Sequence, residues 1–238
     1  MRSKLTTRIK DSRLSMDLKG PRQFDRPDEQ PRDFQDISLE SLGAHTIFGE
    51  VDENSMRDAS EFIIKANQLF PGNRDLTLFV NTIGGTCADG FALIDLMQMS
   101  RLPIRTFGLG NVISMGVLIL CAGAKGKRLI ARNSMVMAHQ FSDAVSGKFH
   151  EIMAAQKAEL YLKHQFVEHF KRHSNMDEDK INEVAFAKSD VWLTPTECKK
   201  YGLVDQVVDE LPEFVIEQPV LQRPAQPRGG GSKRQRRK

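Results

Sequence analysis

The chain has 238 residues, 40% of them hydrophobic and 27% charged, enough for one sizeable core or two small ones. Its net charge of +3 is unevenly spread: residues 1–36 hold nine basic and seven acidic side chains, 218–238 hold seven basic and none acidic, and 37–217 keep 18 against 24, a net −6. The longest apolar run, VISMGVLILCA at 112–122, reaches about half a bilayer span, no apolar leader opens the chain, and three scattered cysteines without a C-x-x-C spacing exclude a disulfide framework or zinc ribbon, so a soluble protein of a reducing, cytoplasmic compartment is expected.

Residues 1–36 are polar, contain prolines and lack apolar period, which predicts a flexible N-terminal arm or propeptide. One domain is expected over 37–217. Within it HTIFGEV (45–51) predicts a strand, 54–69 a helix, LTLFVNT (76–82) a strand and 87–99 a helix. IRTFGLG (104–110) predicts a third strand, followed by a short helix from Ser114, the strand SMVMAH (134–139), a long helix near 148–173 and the strand VDQVV (204–208). Short buried strands alternating with helices imply an α/β domain with a mostly parallel sheet. From Gln218 the chain runs through prolines and GGGS to KRQRRK, a composition that predicts a disordered basic tail.

Three features single out chemistry. The strand at 76–82 runs into Gly84 and Gly85, where missing side chains let backbone N–H groups approach a ligand. Ser114 stands at a strand-to-helix junction, where free N–H donors could stabilise an oxyanion. His139 closes the strand 134–139 at the same carboxyl edge. A serine needs an imidazole to take its proton, and the imidazole needs a carboxylate to fix its tautomer. No Asp or Glu occurs between Leu96 and Ser142, so that acid comes from Asp95, Asp143 or downstream, where Asp190 opens the apolar stretch VWL. Against this stands the plainer reading of Ser114 as a helix cap and His139 as a structural strand end.

The segments NTIGGTCADGFALIDLMQ, GNVISMGVLILCAGAKGKRLIARNSMVMAHQ and SDVWLTPTECKKYGLVDQVV resemble the proteolytic subunit of the Clp protease, ClpP, over about residues 40–210. The resemblance implies the ClpP/crotonase-like spiral of αβ units with a long handle helix. It implies a serine endopeptidase with Ser114 as nucleophile, His139 as base and Asp190 as orienting acid. Gly85 and Met115 would supply the oxyanion N–H groups, and Gly84, Thr86, Phe141 and Ser142 would line the groove in which an extended polypeptide adds as a strand. Phe79 and Met99, which by pattern alone read as core, would fall where partners dock. The resemblance further implies a homo-oligomer of heptameric rings, stacked as a tetradecamer through the helix at 148–173. An ATP-dependent Clp unfoldase would feed it unfolded proteins, and no cofactor is called for. The chain departs from the resemblance at Ile83, where the family carries proline, at Ser189, where it carries arginine, and at FSDAVSG (141–147), where it is glycine-rich.

Other readings carry less. Gly108-x-Gly110 lacks the rest of a dinucleotide fingerprint. His164, His169 and His173 read as a solvated helix face rather than metal ligands, and no metal is expected. Phe62, Ile63, Ala66 and Leu69 have core spacing, and Cys87 and Cys121 read as small buried residues. KRQRRK reads as a solubilising tail, with nucleic acid and membrane disfavoured as partners. Two other functions fit part of the pattern: a crotonase-like acyl-CoA enzyme, which would not need Ser114 or His139, and a non-catalytic ring subunit, against which all three triad positions are filled.

Overall fold

The computed structural model describes residues 37–70, 72–142 and 144–214; the arm at 1–36 and the tail at 218–238 lie outside them. A 3-10 turn, Glu40–Leu42, leads into β1 (Ala44–Val51), α1 (Glu53–Leu69), β2 (Leu76–Gly85), α2 (Cys87–Met99), β3 (Ile104–Ile113) and α3 (Met115–Cys121). The chain continues through β4 (Arg128–Ala131), β5 (Met135–Ala138), α4 (Phe149–His173), α5 (Glu178–Ala185), β6 (Val191–Leu193), α6 (Pro195–Lys200) and β7 (Gln206–Val208).

All strands join one seven-stranded sheet. The path β1-β2-β3-β4-β7 is parallel throughout. β3 is long enough to serve two partners on one edge: Thr106–Gly108 pairs with β4, while Asn111–Ile113 pairs with β5. Beyond β3 the sheet therefore divides into a lower tier, β4 and β7, and an upper tier, β5 and β6. The upper tier ends on the sheet's one antiparallel pairing, β5 with β6.

Helices cover one face of this sheet. α1 starts at a capping box in which the Asp52 carboxylate accepts from the Ser55 N–H at 2.8 Å, and it buries Met56, Ala59, Phe62, Ile63 and Ala66. Leu69, expected on that core face, is 41% exposed. α3 is buried at every position; Gly116 admits it against the sheet, since a Cβ there would lie 2.5 Å from Thr82 Cγ2. The other face carries a separate apolar cluster of Ala44, Phe79, Phe107 and Leu129, on which Phe214 packs at 6.1 Å from the Phe79 ring.

α4 changes character along its length. Its C-terminal turns bury Phe166, Val167, His169 and Phe170, whereas Phe149 is 79%, Leu160 69% and Tyr161 65% exposed in the N-terminal part. Of the solvated histidine face expected from sequence, His164 is exposed, but His169 and His173 are not. His169 is buried, with Nε2 3.0 Å from the Leu118 carbonyl oxygen and 3.3 Å from Cys121 Sγ, and its ring meets Phe91 of α2 and His173. His173 is half-buried against Gln98. Among the described residues no three His, Cys, Asp or Glu side chains converge as a metal site, and no helix is long and apolar enough to cross a membrane.

Burial pushes the His169 imidazole down from 6.5 to about 3, with His173 and Arg172 adding to the shift. The folded side chain is thus neutral where the unfolded chain binds a proton below about 6.5, and stability falls as pH drops from there towards 3. Urea unfolding at pH 7 and pH 5 should show this histidine contributing a loss of about 2 kcal/mol. His169→Gln should flatten that dependence by a similar amount, and a variant with the wild-type pH slope would refute the assignment.

Candidate active site

Parallel pairing of β3 with β5 (Ile113 opposite Met137) delivers two residues to one edge: Ser114 directly follows β3, and His139 directly follows β5. The Ser114 N–H donates to the Met137 carbonyl at 2.9 Å, fixing this register one residue beyond the ladder. β6 then runs back along β5 with Ala138 opposite Val191, so Asp190 stands beside His139 as the next cross-strand pair. His139 Nδ1 lies 3.8 Å from Asp190 Oδ1, with the two side chains 35% and 56% exposed. That is an ion-pair distance rather than a hydrogen bond, and no hydrogen bond joins the Ser114 hydroxyl to His139. Such contacts are commonly loose before substrate binds. Of the other acids weighed, Asp95 is exposed on α2, and Asp143 lies outside the described residues.

Ser114 has φ 55° and ψ −121°, the left-handed half of backbone space; no other non-glycine residue described has a positive φ. Such a conformation costs about 1–3 kcal/mol and persists where its surroundings impose it. A strained strand-to-helix turn of this kind pushes a serine side chain out of the chain path. Gly84 makes room for it, and Gly85 makes room for the neighbouring strand β1. At Gly84 (φ 89°) a Cβ would stand 2.5 Å from Ser114 Cβ and 3.1 Å from Oγ, and at Gly85 (φ 148°) it would strike the Val51 carbonyl oxygen at 2.2 Å. Met115 is the first residue of α3, a position whose N–H has no partner within its own helix.

Beside the glycines opens a pocket of about 410 Å³ that gathers Gly85, Thr86, Phe141 and Ser142, together with Cys87, Ala88, Ala155, Ala158, Glu159 and Leu162. Of the four groove residues named from sequence, Thr86, Phe141 and Ser142 line it, and Gly84 stands against Ser114 instead. Cys87 is half-exposed rather than buried, and its surroundings raise its thiol above the ordinary value. Cys121 is buried, its thiol pushed up to about 12 by loss of solvent. Of the docking pair, Phe79 is 7% exposed in the second apolar cluster, while Met99, a core residue by pattern, is 72% exposed.

Two features near the candidate site lack a clear sequence signal. The antiparallel return of β6 gave no signal in three residues, although the capping motif Thr194-Pro-Thr-Glu197 just beyond it marks where the chain turns away. Glu159 was passed over because a single acid on a mixed helix has no sequence signature.

A profile of the Clp protease family matches residues 39–211. The ATP-dependent Clp protease proteolytic subunit 2 of Thermobifida fusca (strain YX) is 35% identical over 140 residues, 59% of this chain and 68% of that protein. Subunit 1 of Frankia casuarinae is 33% identical over 190 residues, 79% and 88% of the two chains, and the chloroplastic subunit 3 of Arabidopsis thaliana is 36% identical over 137 residues, 58% and 44%. Family match, α/β architecture and a serine, histidine and aspartate at adjoining strand ends agree, and neither an acyl-CoA enzyme nor an inert ring subunit is favoured. The chain belongs to the Clp protease family and is a ClpP-like proteolytic subunit, a serine-type endopeptidase.

Proposed function

We propose that Ser114, His139 and Asp190 form the catalytic triad, with the Gly85 and Met115 N–H groups as oxyanion donors. The observation that carries this reading is the convergence of three residues at neighbouring ends of β3, β5 and β6, with the serine alone held at positive φ. His139 takes the Ser114 proton as the hydroxyl oxygen attacks the peptide carbonyl. The oxyanion is held by the two N–H groups, and His139 gives its proton to the leaving amine. Water, deprotonated by His139, then releases the acyl group and restores the serine. Asp190 fixes the imidazole tautomer and stabilises its cation. The chemistry asks for no cofactor.

Substrate enters as an unfolded, extended polypeptide against Gly84–Thr86 on one side and Phe141–Ser142 on the other, held by backbone hydrogen bonds. The assembly that encloses it is a homo-oligomer of heptameric rings, stacked in pairs as a tetradecamer through the exposed apolar residues of α4. An ATP-dependent Clp unfoldase delivers substrate, docking at Met99 and the Phe79 cluster. Three free cysteines suit the cytoplasm, and neither membrane nor nucleic acid takes part.

Ser114→Ala should reduce hydrolysis of unstructured peptides by at least about 10³-fold without changing particle size, and turnover near wild type would remove Ser114 as nucleophile. Asp190→Asn should cost about 10⁴-fold in kcat through the wrong tautomer, and Asp95→Asn should cost nothing; the opposite pattern would move the acid. Replacing Phe149 and Leu160 together by glutamate should halve the particle mass in native mass spectrometry. An unchanged mass would exclude α4 as the stacking surface.

A further inference from the structure

The pocket beside Gly85 and Thr86 is walled by small and apolar side chains, Ala88, Ala155, Ala158, Leu162 and Phe141, and among the described residues Glu159 is the one charged group lining it. Glu159 sits on α4, half-buried, and also lines a second opening that shares Phe141 and Ser142 with the first and includes Lys163. Its natural partner on the helix is Lys163, one turn on. That ammonium lies instead over the Phe186 ring, 5.1 Å from its centroid. No ion pair or hydrogen bond engages the Glu159 carboxylate within the described residues, whereas Lys171, Lys180 and Lys65 each bind a glutamate close by on the surface. The carboxylate oxygens are open to solvent rather than buried, so a cationic group entering the pocket can reach them.

We propose that Glu159 is a specificity-determining residue that makes this pocket select substrate side chains with an apolar stem and a cationic head, lysine or arginine, at the residue whose carbonyl is attacked. The proposal rests on Ser114 being the nucleophile, because it is Gly84, pressed against Ser114, that places Gly85 and the pocket next to the scissile bond. Alanines at 88, 155 and 158 leave depth for a long chain, Leu162 and Phe141 cover its methylenes, and the head meets the carboxylate in a charge-assisted hydrogen bond. An acidic side chain would set two carboxylates against each other in the same space.

The test uses the full-length assembled protein and three fluorogenic peptides that differ only at that residue: lysine, its uncharged near-isostere norleucine, and glutamate. Wild type should cleave the lysine peptide with kcat/KM about tenfold above the norleucine peptide, the effect of one hydrogen bond to a charged group. Glu159→Gln should bring that ratio near one while leaving norleucine turnover within about twofold, and Glu159→Lys should shift preference to the glutamate peptide. Wild type cleaving norleucine as well as lysine, with both activities abolished in Ser114→Ala, would overturn the specificity and leave the peptidase reading standing. Glu159→Gln lowering all three equally would also overturn it, by showing a merely structural role. Hydrolysis that persists in Ser114→Ala would remove the triad and the pocket assignment together.

Discussion

Everything at this site depends on steric room for one backbone conformation. Ser114 turns from β3 into α3 in a single residue, with φ 55°, and its side chain lies against Gly84 near the end of β2. Had β2 ended in any residue with a side chain, a Cβ at 84 would overlap Ser114 at 2.5 Å. The neighbouring contact is tighter still, since a Cβ at Gly85 would meet Val51 of β1 at 2.2 Å. Close packing of α3 through Gly116 holds the turn from below. One bare position at the end of β2 thus makes room for the strained serine of the next strand, a second lets β2 lie against β1, and the wholly buried α3 follows directly on the strained residue.

The divided sheet then supplies chemistry to that serine. A simple parallel array would carry the acid away from the histidine, because each crossover moves one strand further along. Here β3 spends its second half on β5, and β6 folds back on β5, so serine, histidine and aspartate arrive from three strands in two pairings. The lower tier is fastened separately: Arg128 of β4 makes a bidentate pair with Asp205 before β7 and donates to the His173 carbonyl at the end of α4. The upper tier carries His139 and Asp190, both partly exposed.

Most of this is legible in the sequence. Apolar runs give five of the strands, β1, β2, β3, β5 and β7, and the four helices α1 to α4, the longest of them because extended burial or helical period leaves a record over many residues. α5, α6 and β4 are not read as elements, and β6 shows only as the apolar stretch after Asp190, although α3, β5 and β7 are as short. Ser114 and His139 were legible because both close apolar runs, while Asp190 needed either the family resemblance or the antiparallel pairing, which is a tertiary fact. His169, Leu69, Met99 and Cys87 went the other way for one reason: helical period tells which residues share a face, and not what that face meets. His169 meets α3 and is buried; Met99 meets nothing and is exposed. The acid-free window from Leu96 to Ser142 means that the aspartate beside His139 comes from outside it, just before β6.

The central claim is that Ser114 is an activated nucleophile while the protein is folded and assembled. Incubation with a fluorophosphonate, followed by intact mass and peptide mapping, tests it directly. The account predicts one adduct per chain, on Ser114, abolished by denaturing the protein and strongly slowed by His139→Ala. Adducts on another serine, or none on a particle that still hydrolyses peptides, would contradict it.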